Sequence, residues 1–169
     1  EILYASGMRI TELMSLPVAA ARGKPKMILI KGKGSKERLV PLSPPAIEAL
    51  DHWLKLRDEK EDLRLKKGLK RSSFLFPSNS KNGYLTRNWF FNKIKSWAIE
   101  AGVKSENVSP HTIRHAFATH LLSNGADLRV IQTLLGHSDI TTTEIYTHIV
   151  NDKLKSTLEE HHPLSNKSK

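Results

Sequence analysis

A single β-hairpin signal stands in a sequence whose remaining apolar pattern is helical. Residues 27–42 read MILIKGKGSKERLVPL, two strand-forming runs that flank the glycine-rich segment 32–36. Glycines between two such runs predict a tight antiparallel connection with Lys33 at its tip. The sequence therefore predicts a mainly α fold with a small antiparallel β-sheet near residues 15 to 42.

A broken helical pattern opens the chain. The apolar spacing is interrupted at Ser6 and Gly7, which indicates that one helix ends there and that a short second helix carries Arg9 and Glu12. Because these two residues are three apart on a helix, their side chains are neighbours. We interpret Glu12 as a group that orients Arg9, rather than as one half of a surface ion pair, which would contribute little.

Two longer helices are expected in the middle of the chain. Ser43, followed by two prolines, starts an amphipathic helix that should run to about Arg57. The charge-dense residues 58–73 predict a frayed helix end and a solvated surface loop. Thr86 caps the second helix, which stops at Gly102 and carries one apolar stripe made of Phe90, Ile94, Trp97, Ala98 and Ala101. We expect core packing for its aromatic residues; base stacking by Trp89, Phe90 or Trp97 is the alternative.

Short capped helices fill the rest of the chain. They are expected at 111–124, 127–135, about 139–147 and 151–160. His111 and His115 have the i, i+4 spacing of a zinc-binding helix, but Thr112 stands where such a site has glutamate, so no metal is expected. His115 and His120 are interpreted as packed, hydrogen-bonded structural residues.

Composition favours a polyanionic partner. Lys and Arg total 27 against 17 Asp and Glu, which gives a net charge of +10 and a sequence pI of about 9.9. The absence of cysteine excludes disulfides and thiolate metal sites. With no long apolar run and no signal-peptide pattern, we expect a cytoplasmic protein. The opening residues read as a helix already under way, so we interpret 1–169 as one domain of a longer protein.

Several residues suited to phosphate chemistry lie at element ends or turns: Arg9, Lys33, His111, Arg114, His137 and Tyr146. Two guanidiniums offer permanently charged, bidentate donors to a phosphodiester and could supply the charge stabilisation that Mg²⁺ supplies elsewhere. Tyrosine has an ordinary pKa of about 10, so Tyr146 would need their field and a nearby base to act as a nucleophile. His111 is the candidate base, and Lys33 is the candidate acid for a leaving oxygen.

The motifs SGMRITEL, KGKGSKERLVPL, HTIRHAFATHLL, LLGHSDITTTEIYTH and the closing HHP resemble the Xer group of tyrosine recombinases, in that order along residues 1 to 162. The resemblance implies Arg9 and Arg114 as phosphate clamps, His137 as a phosphate donor and Tyr146 as the nucleophile. For Lys33 and His111 it implies the general acid and the acid/base. It also implies a 3′-phosphotyrosyl intermediate with no cofactor and no ATP.

Further expectations follow from that resemblance alone. The partners would be double-stranded DNA with a specific recombination site, a homo- or hetero-tetramer with a sister recombinase, and a septal DNA translocase in chromosome dimer resolution on the nucleoid. An N-terminal helical DNA-clamping domain is absent from this chain, and residues 151–162 would form a helix that docks on a neighbouring subunit through Leu154 and Leu158. One departure is the segment PVAAARGKPK, which lacks the acidic strand expected before the hairpin.

Two other functions fit the same residues. A type IB topoisomerase would share the chemistry but relax supercoils alone, and a non-catalytic DNA-binding module would keep only the fold. The segment GKGSK could suggest a nucleotide-binding P-loop, but it lacks the order of strand, loop and helix that such a loop requires.

Overall fold

The fold is that of a computed structural model of the chain, and the residues that it describes are 1–32 and 37–136. Within them the helices are α1 (Ile2–Ser6), α2 (Ile10–Met14), α3 (Pro44–Lys66), α4 (Arg87–Glu100), α5 (Pro110–Ser123) and α6 (Leu128–Leu135). Two strands, β1 (Met27–Lys31) and β2 (Glu37–Pro41), and two 3₁₀ helices, Val18–Ala21 and Ser105–Asn107, complete this part. The expected helices at about 139–147 and 151–160, and the residues Lys33, His137 and Tyr146, lie outside the described residues.

The two strands of the predicted hairpin are present and paired. Strands β1 and β2 pair antiparallel, from Met27 opposite Pro41 to Lys31 opposite Glu37. Ile28 and the residue opposite it, Val40, are both buried, while Leu29 is half exposed, so one face of the hairpin packs inward. The mainly α fold with a small antiparallel sheet is therefore confirmed.

The sheet begins later than expected. Residues 18–21 form a 3₁₀ helix, and the segment before it makes only an isolated bridge between Pro17 and Phe74. Proline has no backbone N–H to donate to a strand ladder, so this segment is poorly suited to extend the sheet. The expectation of a sheet starting near residue 15 is wrong, and the described sheet starts at Met27.

Helix α3 is longer than its sequence predicts. The expected surface loop over 58–73 is wrong for residues 58–66, because the helix continues to Lys66, whereas residues 67–73 are non-helical and largely exposed, as expected. Two of its charged side chains, Arg57 and Glu61, are only 2% and 1% exposed. Arg57 donates to the carbonyl oxygens of Ser72 and Phe74 at 2.7 and 2.9 Å, and Glu61 accepts from the Ser72 N–H at 2.6 Å. These buried charged side chains are hydrogen-bonded to backbone groups, and they fix the helix against residues 72–74, although its high charge density predicted a solvent-exposed segment.

Helix α4 starts as expected, since the Thr86 hydroxyl accepts from the N–H of Trp89 at 3.1 Å. Ile94 and Ala98 are buried, and Phe90 packs against the core. Trp97 is 44% exposed, however, and Ala101 is also exposed, so the expectation of a fully packed stripe is wrong at these two positions. The Lys93 ammonium lies 5.5 Å from the Trp97 ring centre instead.

The apolar side chains form two cores, and α1 lies against both. The first core joins α1, α2, the hairpin and α3, and the second joins α5 and α6 around Phe117, Leu121, Ile131 and Leu134. The Tyr4 hydroxyl of α1 is hydrogen-bonded to Nδ1 of His120 at 2.8 Å. His115 and His120 are both exposed, so burial in the core is wrong for them, but each has the expected hydrogen bond and the His120 ring lies edge-on to the Tyr4 ring. No helix among the described residues is long and apolar enough to cross a bilayer.

Candidate active site

Arg9 is placed by the sharp break between α1 and α2. Gly7 ends α1 in the left-handed conformation with φ of 59°, and Arg9 is the N-cap of α2 two residues later. The Arg9 backbone N–H donates to Glu12 at 2.7 Å, and its guanidinium donates to the same carboxylate at 3.2 Å. The Arg9 side chain remains 43% exposed. Glu12 therefore orients the Arg9 guanidinium, and the exposed part of that guanidinium can contact an anion.

Arg114 lies one turn into α5 and connects two helix ends. One terminal nitrogen of its guanidinium donates to the carbonyl oxygen of Gly7, and the other donates to that of Leu135 at 2.6 Å. Gly7 is the C-cap of α1 and Leu135 is the last residue of α6, so both acceptors belong to helix carboxyl ends that lack intrahelical partners. The remaining N–H groups of the fork can serve a ligand.

The surroundings of Arg114 disfavour a cation. Burial, joined by the nearby charges of Arg9 and Arg38 and opposed by that of Glu12, lowers the pKa of Arg114 to about 10. At pH 7 the guanidinium is still charged. A bound anion would offset both the burial of this charge and the repulsion from Arg9 and Arg38.

His111 completes the described part of the site. Ser109 caps α5 by accepting from the N–H of Thr112 at 3.1 Å, and His111 follows in the first turn with its side chain exposed. Arg9, His111 and Arg114 line one cavity of about 500 Å³, together with Arg87 and Phe91 of α4. The N-terminus of a capped helix adds a further preference for negative charge.

Glu12 has a second partner that the sequence analysis missed. Arg38 of β2 donates to both oxygens of the Glu12 carboxylate at 2.9 and 2.7 Å, and its Nε donates to the carbonyl oxygen of Leu134 at 3.1 Å. A signal was available, because Arg38 lies two residues before the buried Val40 and opposite the buried Ile30. Period-two alternation therefore places Arg38 on the inward face of the hairpin, where a charge requires a partner.

The structure thus brings together three of the six residues assigned to phosphate chemistry, and it adds Arg38, Arg87 and Phe91 to their surroundings. The expectation that Glu12 contacts Arg9 is met by two hydrogen bonds. Lys33, His137 and Tyr146 lie outside the described residues, so their place in the site remains a prediction.

Stability should depend on the Glu12 carboxylate in acid. Burial alone would raise the pKa of Glu12, but hydrogen bonds from Arg38 and Arg9 and the charge of Arg38 outweigh it, so this pKa lies below its ordinary value. A carboxyl with a lowered folded-state pKa contributes stability that is complete above the ordinary pKa of about 4.3 and is lost as pH falls through the folded value. We expect the difference in free energy of unfolding between wild type and Glu12→Gln to shrink from pH 6 toward pH 3, measured by urea denaturation. A difference that does not change with pH would contradict this.

The chain belongs to the phage integrase family, whose sequence profile matches residues 1–153. It is 48% identical to the tyrosine recombinase XerD of Bradyrhizobium diazoefficiens, over 99% of this chain and 52% of that protein. To the tyrosine recombinase XerD of Caulobacter vibrioides it is 49% identical, over 99% of this chain and 53% of that protein. The chain therefore spans about half the length of these curated relatives.

Solved structures give the same result. The XerA recombinase shares 30% identity with a TM-score of 0.66, covering 96% of this chain and 56% of that one. The XerH site-specific recombinase in its pre-cleavage complex with difH substrate shares 29% identity with a TM-score of 0.62, covering 92% of this chain and 40% of that one. The resemblance to Xer-type tyrosine recombinases and the fold of their catalytic domain are confirmed.

Proposed function

We propose that this chain is the DNA-cleaving domain of a site-specific recombinase that breaks and rejoins strands through Tyr146. The observation that carries the proposal is the convergence of Arg9, His111 and Arg114 on one cavity, where burial and the charges of Arg9 and Arg38 lower the pKa of Arg114 and a bound anion would offset that effect. A DNA phosphodiester supplies that anion. The net charge of +10 would draw DNA to the domain and make binding fall steeply with salt.

The proposed reaction needs no metal, because residues of the chain can supply the nucleophile, the base, the acid and the stabilisation of negative charge. The Tyr146 oxygen attacks phosphorus and forms a Tyr–P bond, while the bond from phosphorus to the 5′ oxygen breaks. The phenolic proton passes to His111, and Lys33 gives a proton to the departing 5′ oxygen. Arg9, Arg114 and His137 stabilise charge on the nonbridging oxygens. Attack by the 5′ hydroxyl of a partner strand reverses these steps and conserves the energy of the bond.

The proposal extends to the assembly. The XerH relative is described in complex with its difH substrate, and the curated relatives are XerD recombinases. By analogy, this protein would act on double-stranded DNA at a specific site, as a homo- or hetero-tetramer with a sister recombinase. Chromosome dimer resolution in the cytoplasm, on the nucleoid and with a septal DNA translocase, is the corresponding cellular role. Residues 151–162 would contact the neighbouring subunit.

A nicked suicide substrate tests the proposal. The longest natural form of the protein that contains this chain is incubated with nicked DNA and excess EDTA, since loss of the nicked fragment traps the intermediate. We expect a covalent protein–DNA adduct, located on Tyr146 by peptide mass mapping, and strand exchange between paired sites. Relaxation of supercoils without strand exchange would indicate a type IB topoisomerase. DNA binding with no adduct would indicate a non-catalytic module and reject the proposal.

A further inference from the structure

We propose that Arg38 is a positioning residue for DNA cleavage, which holds α2 and the end of α6 in register with the phosphate cavity. This inference rests on the proposed function. Arg38 is distinct from the six residues assigned to the chemistry, and it does not line the cavity. It would act on the reaction only through the groups that it holds.

The contacts of Arg38 join three separate parts of the chain. From β2 its guanidinium reaches Glu12, 26 residues earlier in sequence, and Leu134, 96 residues later. Glu12 is the residue that orients Arg9, and Leu134 is next to Leu135, whose carbonyl oxygen holds Arg114. One side chain therefore fixes the supports of both arginines that face the cavity.

The site is built closely around this guanidinium. The side chains of Arg38 and Glu12 are only 11% and 6% exposed. Gly136 ends α6 with φ of 68°, and a Cβ added there would lie 3.1 Å from Cζ, Nε and Nη1 of Arg38. The end of α6 is therefore shaped to admit the planar fork. In the sequence, His137 follows this glycine directly, and Lys33 lies between the end of β1 and the start of β2.

The geometry gives Arg38 a different role from Arg9 and Arg114: Arg38 positions other groups, whereas Arg9 and Arg114 are placed to bind phosphate. Glu12 accepts from both terminal nitrogens of Arg38, which does not line the cavity, whereas Arg9, with a single guanidinium bond to Glu12, and Arg114 both line it. Lysine could keep the charge of Arg38 but not its function. An ammonium has no planar fork, so it cannot bond both oxygens of Glu12 and the Leu134 carbonyl in this arrangement.

The test is Arg38→Lys in the longest natural form of the protein. At saturating nicked DNA, and well below its melting temperature, we expect a single-turnover cleavage rate about 10²-fold below wild type, as displacement of reacting groups by about 1 Å can cause. DNA affinity should change by less than about 3-fold, since an effect on the reaction alone leaves binding intact. A residue with a merely structural role would lower the melting temperature without this split between rate and affinity.

Arg57→Lys is the matched control. Arg57 is more deeply buried than Arg38, with a side chain 2% exposed against 11%, and it also donates to backbone carbonyls, but it supports residues 72–74 and does not line the cavity. We expect this variant to lose melting temperature and keep its cleavage rate. Wild-type rates in a folded Arg38→Lys, or equal rate losses in the two variants, would overturn the inference and leave the proposed function in place.

If Arg38→Lys does not fold, Glu12→Gln tests the same link, because it breaks the bidentate pair and leaves the bond to Leu134. An unchanged cleavage rate in Glu12→Gln would overturn the inference.

A second measurement separates this inference from the proposed function. If wild type forms no adduct, the proposed function fails, and amide hydrogen exchange decides the role of Arg38. Arg38→Lys should then speed exchange at Leu13 in α2 and at Gly136 after α6, both of which have backbone acceptors, while Arg57→Lys leaves them protected. Unchanged protection at these two amides would overturn the inference.

Discussion

Replacing Arg114 with lysine is expected to slow DNA cleavage about 10³-fold, because the loss of one preorganised donor to a developing oxyanion costs about 10²–10³-fold and the bidentate geometry is lost with it. The guanidinium of Arg114 has enough N–H groups to hold the carbonyl oxygens of Gly7 and Leu135 and still serve a phosphate. An ammonium that kept the two carbonyl bonds would have at most one N–H left. The measurement is the single-turnover rate of adduct formation on nicked DNA.

Arg129→Lys is the control for that experiment. Arg129 is an exposed arginine in the first turn of α6 and does not line the cavity, so its replacement should leave the rate unchanged. A rate for Arg114→Lys within about 3-fold of wild type would be inconsistent with electrostatic stabilisation by this residue.

Gly7→Ala should destabilise the domain by about 2–5 kcal/mol, the sum of left-handed strain and overpacking. Gly7 has φ of 59°, and a Cβ added there would lie 2.6 Å from Cε1 of Phe117 and closer still to Cδ1. Phe117 is fully buried in the second core, so it cannot move aside without disturbing α5. The loss is measured by urea denaturation.

Gly102→Ala isolates the backbone part of that cost. Gly102 has φ of 70°, but an added Cβ would meet no atom within 4 Å. We expect it to lose only about 1–2 kcal/mol, the cost of the left-handed conformation. Equal losses for the two variants would mean that the contact with Phe117 contributes nothing.

Local signals in the sequence predicted local structure well. The break at Gly7, the Thr86 cap and the hairpin each depend on residues within a few positions, and each is present. The sequence predicts too short a helix α3, because high charge density usually indicates a solvent-exposed segment. What keeps Arg57 and Glu61 inside is a set of backbone groups 11 to 17 residues away, which no local pattern reports.

The candidate site shows the same division. Residue type and spacing identified Arg9, His111 and Arg114, which line one cavity. Arg38 was missed because its partners lie 26 and 96 residues away, although strand alternation placed it on the inward face. The exposure of Trp97 could not be predicted either, because the apolar stripe of a helix does not show how much of that stripe the rest of the protein covers.

The double cap that Arg114 provides has a consequence for control of the enzyme. The bonds from this guanidinium to the ends of α1 and α6 are part of the folded domain itself, so under the proposed function DNA would meet a donor that is already in place. In a tetramer in which only some subunits cleave DNA at a given moment, the inactive subunits would hold Arg114 in the same position as the active subunits do. Inactive subunits would then have to be inhibited through the other catalytic residues. Activating such a subunit would require no rearrangement of Arg114 or of the helix ends that it holds.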